Sequence, residues 1–311
     1  MGDPGLLPVL QVPKGSVTPY VLTVGDPDRA AAIGALLDGG RQVGRFREYV
    51  TWQGSWKGLD LTVASHGVGG AGAAIAFEEL ILGGALAIIR LGTCGSFLAR
   101  IRSGDLLIAT AAVREDGVSD QLLPRSYPAV SDLDVTLSLI AAAEVAGVNH
   151  AVGVVMTKAA FYPGALPDDR EVWAKAHLAG VEMELATLLI IAALRGVRAG
   201  GVFTVDGNPA EGDVEDPAGY DPHRDVVIDG KRRMVEVGLD AIHRLAARDR
   251  GRAGVTVLGA FAAGVGVDRQ GGLGNRGCRG GPDGRDAAVA GRRFIERRVA
   301  GLVAPLPVRQ G

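Results

Sequence analysis

Hydrophobic period is the feature that most constrains this chain. Between residues 18 and 248, short runs of apolar and β-branched residues alternate with longer Ala/Leu-rich runs. The short runs read as buried strands and the longer ones as helices. Tyr20–Val24, Leu61–Ser65, Ala87–Leu91, Leu106–Val113, Val152–Thr157 and Ala199–Val205 are the expected strands. Asp28–Leu37, Ala73–Leu82, Leu133–Ala146, Glu182–Leu194 and Val235–Ala247 are the expected helices, and Gly92 is expected to open a loop. Strands alternating with helices imply an α/β fold. The expectation is a single domain with a mixed, mostly parallel central sheet flanked by helices on both faces.

The chain has 311 residues, nearly half of them apolar, and can bury a sizeable core. No apolar run reaches the roughly 18 residues of a membrane span, so no membrane partner is expected. Met1–Tyr20 lacks the basic region and apolar core of a signal peptide, and Cys94 and Cys278 make no disulfide framework. The expected compartment is the cytoplasm. Residues 1–17 read as an N-terminal extension, 18–248 as the folded body and 249–311 as a Gly/Arg-rich tail. From Arg250 on there are eleven Arg, no Lys and four acidic residues. Gly and Arg dominate Arg269–Arg285, a composition that cannot offset its ordering entropy by burial. The tail is therefore expected to be disordered or non-homologous. An RNA-binding arm would need aromatic residues for stacking, and Phe261 and Phe294 are the only ones there. Nucleic acid is thus not the expected partner.

Five constellations could carry chemistry. Val24-Gly25-Asp26-Pro27-Asp28-Arg29 ends a strand and opens a helix. A Gly there lets backbone N–H groups approach an anion, the helix dipole favours it, and Arg29 can reach back to it. The plainer alternative is a strand-turn-helix capped by an Asp. The glycine run Gly67–Gly72 does not match a dinucleotide fingerprint and reads as a tight turn with close helix packing. Arg90 ends an apolar strand, where an unpartnered charge is costly, with Gly92, Thr93, Gly95 and Ser96 beside it. Such a group at a carboxyl strand end suits a phosphate, and a salt bridge is its alternative. Of Glu182 and Glu184, one can project into a site and bind vicinal ribose hydroxyls; otherwise both are solvated charges at a helix start. Asp206 ends another apolar strand, either as a general acid or in an Asx turn before Pro209.

These motifs resemble, in order, those of the nucleoside phosphorylases, the family of uridine phosphorylases and hexameric purine nucleoside phosphorylases. Eight pieces carry the resemblance: Gly25–Arg29, Arg47-Glu48-Tyr49 with Thr51-Trp52, Gly67–Gly70, Arg90–Ser96, Ser103–Asp105, Tyr127–Val130, Phe161–Gly164 and Glu182–Glu184. The segments Tyr127–Val130 and Phe161–Gly164 look closest to the uridine branch. The resemblance implies phosphorolysis of a nucleoside to free base and ribose 1-phosphate, with phosphate as co-substrate and no cofactor; some members hold a monovalent cation with a Glu like Glu48, but Gly72 stands where they have a Ser, so no metal is expected. It implies Gly25, Arg29, Arg90 and Thr93 as phosphate ligands, with Arg47 reaching into a neighbouring subunit's phosphate site. Met183 and Glu184 match the ribose contacts and Phe161 the wall of the base pocket. Purine enzymes use an Asp near the last strand to protonate the base, and Asp206 lies within about one residue of that place, so Arg90 and Asp206 are the expected catalytic residues. A homohexamer built from dimers is implied. Uridine enzymes carry a Gln and an Arg after the Phe-Tyr-Pro-Gly run, where this chain has Ala165 and Pro167. Their N-terminal His is missing, since no His precedes His66. A purine nucleoside or methylthioadenosine phosphorylase is the enzyme alternative, and a nucleoside-binding protein without turnover is the other.

Overall fold

The computed structural model describes residues 5–162, 164–167, 169–208, 221 and 223–262, with side chains as far as 252. The chain divides into two units, Met1–Gly254 and Val255–Gly311. Of the second, only the helical stretch 255–262 is described. The expected tail composition over Arg269–Arg285 lies outside the described residues.

The elements are β1 (Tyr20–Val24), α1 (Pro27–Leu36), β2 (Asp38–Phe46), β3 (Tyr49–Trp56), β4 (Leu59–Ser65), α2 (Gly70–Leu82), β5 (Ala87–Ser96) and β6 (Leu106–Glu115). They continue with α3 (Ser119–Leu122), β7 (Ala129–Val130), α4 (Leu133–Val145), β8 (His150–Lys158), α5 (Arg170–Lys175), β9 (Gly180–Glu182), α6 (Leu185–Arg195), β10 (Arg198–Gly207) and α7 (Asp225–Ala262). One mixed sheet holds all ten strands. Its centre is parallel: β4, β1, β5 and β10 lie side by side in one direction. The hairpin β2–β3 adds antiparallel strands outside β4. On the other side β10 pairs with β6, β6 with β8, β8 with β9, and β9 with the end of β5. Those five strands close on themselves, and β5 is the seam.

Alternation along the strands builds two apolar layers. Val21 and Ile88 point to one layer, where Ala73, Ala76, Phe77 and Leu80 of α2 meet Leu185–Ala192 of α6. Leu22, Val24, Ile89 and Leu91 point to the other, against Ile33 of α1, Leu139 of α4 and Met234–Ala246 of α7. Helix α7 comes very close to the sheet. A Cβ on Gly230 would fall 2.5 Å from Thr204 Cγ2 and 2.8 Å from the Gly104 carbonyl oxygen.

The structure corrects several expectations. The strand of Arg90 does not stop at Gly92 but runs to Ser96. Where β1 ends beside Leu91, β9 takes its place against Gly95 and Ser96, and β10 continues on the other side. The backbone groups of 92–96 thus stay in ladders. The helix expected from Glu182 starts at Leu185, because Glu182 lies in β9 and its carboxylate accepts from the N–H groups of Glu184 and Leu185. The hairpin β2–β3 had no period to betray it: Asp38–Phe46 is Gly- and Arg-rich and largely exposed.

The outer boundaries differ too. Helix α7 passes residue 248 without a break and runs to Ala262. Just past that point Asp249 accepts two bonds from Arg198, at 2.9 and 2.6 Å, and one from the Tyr20 hydroxyl at 2.7 Å. Burial, followed by Asp249, pushes the Tyr20 phenol up to about 12. At the other end, Leu7, Leu10 and Val12 are buried in the α2–α6 layer. Glu79 of α2, itself buried, fixes them by accepting from the N–H groups of Val9 and Leu10 at 2.8–3.0 Å. Residues 5–17 therefore pack onto the first unit through Leu7, Leu10, Val12 and Val17. Glu79→Ala leaves two donors unpaired and is expected to cost about 1–3 kcal/mol. Urea unfolding measures this; an unchanged midpoint would show that the N-terminal segment contributes nothing.

Candidate active site

Arg90 is the centre of the site. It sits in the middle of the buried strand β5 and is 4% exposed. Buried guanidinium groups require partners, and two carboxylates supply them. Nη2 of Arg90 donates to Glu184 Oε2 and lies 3.0 Å from Glu182 Oε2. The guanidinium also lies over the Phe203 ring, 5.2 Å from its centroid. Gly92 makes room for it: a Cβ there would come 2.1 Å from Nη1. Nε and Nη1 of Arg90 are buried with no hydrogen-bond partner among the described residues.

The two glutamates have different tasks. Glu182 is fully wrapped, accepting from Thr157 Oγ1 at 2.5 Å and from the first N–H groups of α6. Burial, with the neighbouring Glu184 adding to it, pushes its carboxyl up against the opposing pull of Arg90. Glu184 holds Arg90 with one oxygen and accepts from the Gly69 N–H with the other. That bond ties the glycine turn before α2 to the start of α6. Neither glutamate is a solvated helix-start charge; both are about 4% exposed.

Strands β1 and β4 end beside this pair, while β5 and β10 run on past it. Val24 of β1 lies beside Leu91 of β5 on one side and Ser65 of β4 on the other. Gly25 and His66 therefore follow adjacent strand ends. Arg29, half-buried, is in the first turn of α1. The Asp26 side chain caps that turn by accepting from the Asp28 N–H at 2.8 Å, so the plain capping role expected of this motif is also present. Thr93 lies half-buried on β5 opposite Thr204.

Asp206 occupies a bulge. In the β5–β10 ladder Val205 faces Cys94 and Gly207 faces Gly95, so Asp206 is the extra residue between them. Bulges re-aim side chains at active sites. Its carboxylate is 5% exposed, and after burial it is the main charge that pushes the Cys94 thiol up. Arg224, just before α7, donates to the Asp206 carbonyl at 2.9 Å and to Ser103 Oγ at 3.2 Å. Burial and then the Arg29 charge hold the Lys231 amine below its ordinary value, against the pull of Asp206 and Asp26. The first turns of α7 thus lie near both Arg29 and Asp206.

Other expected residues stand further out. Met183 is half-buried between β9 and α6. Phe161 is 49% exposed in the loop after β8, edge-on to Tyr162 at 5.2 Å. Ala165 and Pro167 are exposed in the same loop. Arg47 is exposed at the tip of the β2–β3 hairpin, with φ of 53° and its guanidinium over Phe46. It is not packed with Arg90. The hairpin tip does approach the site, because a Cβ on Gly67 would lie 2.8 Å from Glu48 Cγ. Of the polar segment 219–225, residues 219, 220 and 222 lie outside the described residues. Sequence reasoning missed His66, which is buried behind Gly25, and the capping role of Glu182. A lone His after an apolar strand was the only signal for the first. A shallow cleft of about 360 Å³ opens elsewhere, among Arg100, Asp105, Asn149 and His150, and contains none of these residues.

The comparisons agree with this geometry. The sequence profile of the phosphorylase superfamily matches residues 19–243. The purine nucleoside phosphorylase of Plasmodium falciparum is 40% identical over 245 residues, covering 78% of this chain and 98% of that one. The uridine phosphorylase of Thermococcus kodakarensis is 42% identical over 209 residues, covering 62% of this chain and 74% of that one. The crystal structure of purine nucleoside phosphorylase from Toxoplasma gondii, in complex with immucillin-H, superposes with a TM-score of 0.74 at 33% identity, covering 80% of this chain and 99% of that one. The chain, matched along most of its length, belongs to the phosphorylase superfamily, among its nucleoside phosphorylases.

Proposed function

We propose that the protein cleaves the N-glycosidic bond of a purine ribonucleoside with inorganic phosphate, giving the free base and ribose 1-phosphate. The Arg90–Glu184 pair carries this reading. The nucleophile must sit beneath the anomeric carbon of a sugar whose hydroxyls are held nearby. A guanidinium with two N–H-bearing nitrogens unengaged, joined to a carboxylate able to accept from hydroxyls, meets that need in one contact.

In this proposal the Gly25 N–H, Arg29, Arg90 and Thr93 hold phosphate, with Arg47 of a second copy completing the site. Arg47 is exposed at a hairpin tip and available to a neighbour, which supports a dimer-based oligomer. Met183 packs on the ribose and Glu184 accepts from its hydroxyls. Phe161 walls the base. The N-glycosidic bond breaks with its electron pair leaving on the base, and a phosphate oxygen bonds to the anomeric carbon. Asp206 gives its proton to the departing base. Preorganised charge and positioning supply most of the rate. The scheme requires phosphate as co-substrate and calls on no other cofactor.

Asp206 supports a purine as the base, because a carboxylic acid can protonate a ring nitrogen of the leaving purine. Ala165 and Pro167 offer nothing to read uracil in the manner of uridine enzymes. A uridine-type reading keeps the support of the 42% identity to the Thermococcus enzyme and of the segments Tyr127–Val130 and Phe161–Gly164.

Incubation with inosine, guanosine, adenosine, methylthioadenosine and uridine, with and without phosphate, is expected to release purine bases only when phosphate is present. Release from uridine alone would reverse the choice of base, and binding without release would make the protein a nucleoside binder. Asp206→Asn is expected to lower kcat on purine nucleosides by about 10²–10⁴-fold, the range for a lost general acid. Equal kcat in the variant would remove Asp206 from the mechanism. Arg90→Lys keeps the charge that Glu182 and Glu184 need but loses the planar fork. Its kcat/KM for phosphate is expected to fall about 10²-fold or more; a near-native value would make Arg90 structural.

A further inference from the structure

His66 has no task in the scheme above, yet it is built into the same place. It directly follows β4 and is completely buried. One side of its ring packs edge-on against Phe77 of α2, with centroids 5.2 Å apart. Its polar edge faces Gly25: a Cβ on Gly25 would lie 3.7 Å from Cε1, the carbon between the two ring nitrogens. Both nitrogens are buried without a well-aligned hydrogen-bond partner among the described residues. Leaving such atoms unmet costs about 1–3 kcal/mol in a core, and an apolar residue would fill the space without that cost.

The imidazole is held neutral. Burial, then the Arg90 charge and more weakly that of Arg29, push its protonation well below the ordinary range, although the backbone of Gly67 and of His66 itself pulls the other way. A neutral imidazole has one N–H donor and one nitrogen lone pair. A lone pair fixed in place is what it adds to the rest of the cradle. The Gly25 amide, Arg29 and Arg90 only donate, the Thr93 hydroxyl can donate or accept, and Glu184, held by Arg90 and Gly69, keeps its remaining lone pairs for the ribose hydroxyls. Near neutral pH the phosphate dianion keeps one P–OH, whose proton needs an acceptor.

We propose that His66 is the hydrogen-bond acceptor of the phosphate site, and that it selects phosphate bearing a P–OH over fully deprotonated oxyanions such as sulfate. This rests on the reading of Gly25, Arg29 and Arg90 as phosphate ligands. His66 acts here as a specificity-determining residue, ordering the nucleophile by fixing which of its oxygens carries the proton.

Calorimetric titration of inorganic phosphate and of sulfate into the full chain near neutral pH tests it. The unsubstituted protein is expected to prefer phosphate. His66→Phe keeps a ring against Phe77 and removes the lone pair. It is expected to weaken phosphate binding about tenfold while leaving sulfate within about twofold. His66→Gln restores an acceptor and is expected to recover part of the preference. His66→Leu asks the same question as His66→Phe if the larger ring prevents folding, which circular dichroism reports. A phosphate-to-sulfate ratio unchanged in a folded apolar variant overturns the inference, as does an equal loss of both anions. Base release by the same unsubstituted preparation keeps the two claims apart. Phosphate-dependent release with an unchanged ratio sinks only the role of His66, whereas no release and no phosphate binding sink the phosphorolysis reading with it.

Discussion

One buried cation organises the molecule. Arg90 lies in the centre of the sheet, where an isolated charge would cost several kcal/mol. Glu182 and Glu184 make it tolerable, and each is itself tied to the fold. Glu182 satisfies the orphan N–H groups at the start of α6 and the Thr157 hydroxyl, while Glu184 reaches the Gly69 N–H before α2. One ion cluster thereby joins β5, β8, β9 and the first turns of the two helices that cover one face of the sheet. Residues that look purely local follow from it. Gly92 must lack a side chain because the guanidinium occupies that space, and Phe203 supplies the ring beneath it.

The same cluster sets an incompletely matched cation inside a stable core. Two carboxylates engage Nη2, while Nε and Nη1 are buried with no hydrogen-bond partner among the described residues. The fold thus uses part of the guanidinium for its own cohesion. Around it β1 and β4 end while β5 and β10 run on, so Gly25 and Arg29 follow one strand end and Thr93 and Asp206 lie on the neighbouring longer strands, toward the carboxyl edge where open α/β sheets place their ligands. The bulge at Asp206 belongs to this edge. Without an extra residue between Val205 and Gly207, the alternation of β10 would aim that position differently.

Much of this was legible in the chain. The strands Tyr20–Val24, Leu106–Val113 and Ala199–Val205 lie within observed strands, because continuous apolar runs leave few alternatives. The Arg90 motif announced itself by a charge at the end of such a run. Illegible elements share a physical cause. Strand β2 is polar and at an edge, β9 is three residues long, and neither has enough period to detect. His66 was hidden because a single buried imidazole looks the same in sequence whether it fills a core or faces a ligand. The ends of the folded unit were hidden as well: residues 5–17 are held by Glu79, and Asp249 by Arg198, contacts across about 70 and 51 positions.

By itself, the sequence determined the alternation of strand and helix, the two-faced parallel centre and the identity of the residues at the strand ends, since these depend on local period and residue chemistry. Only the tertiary structure decided which of those residues meet. That Glu182 caps a helix while Glu184 and Arg90 form one pair, that β5 runs on past Gly92, and that His66 turns its polar edge to Gly25 all depend on non-local pairing. Strand register and burial set those pairings, and neither is encoded within any one segment.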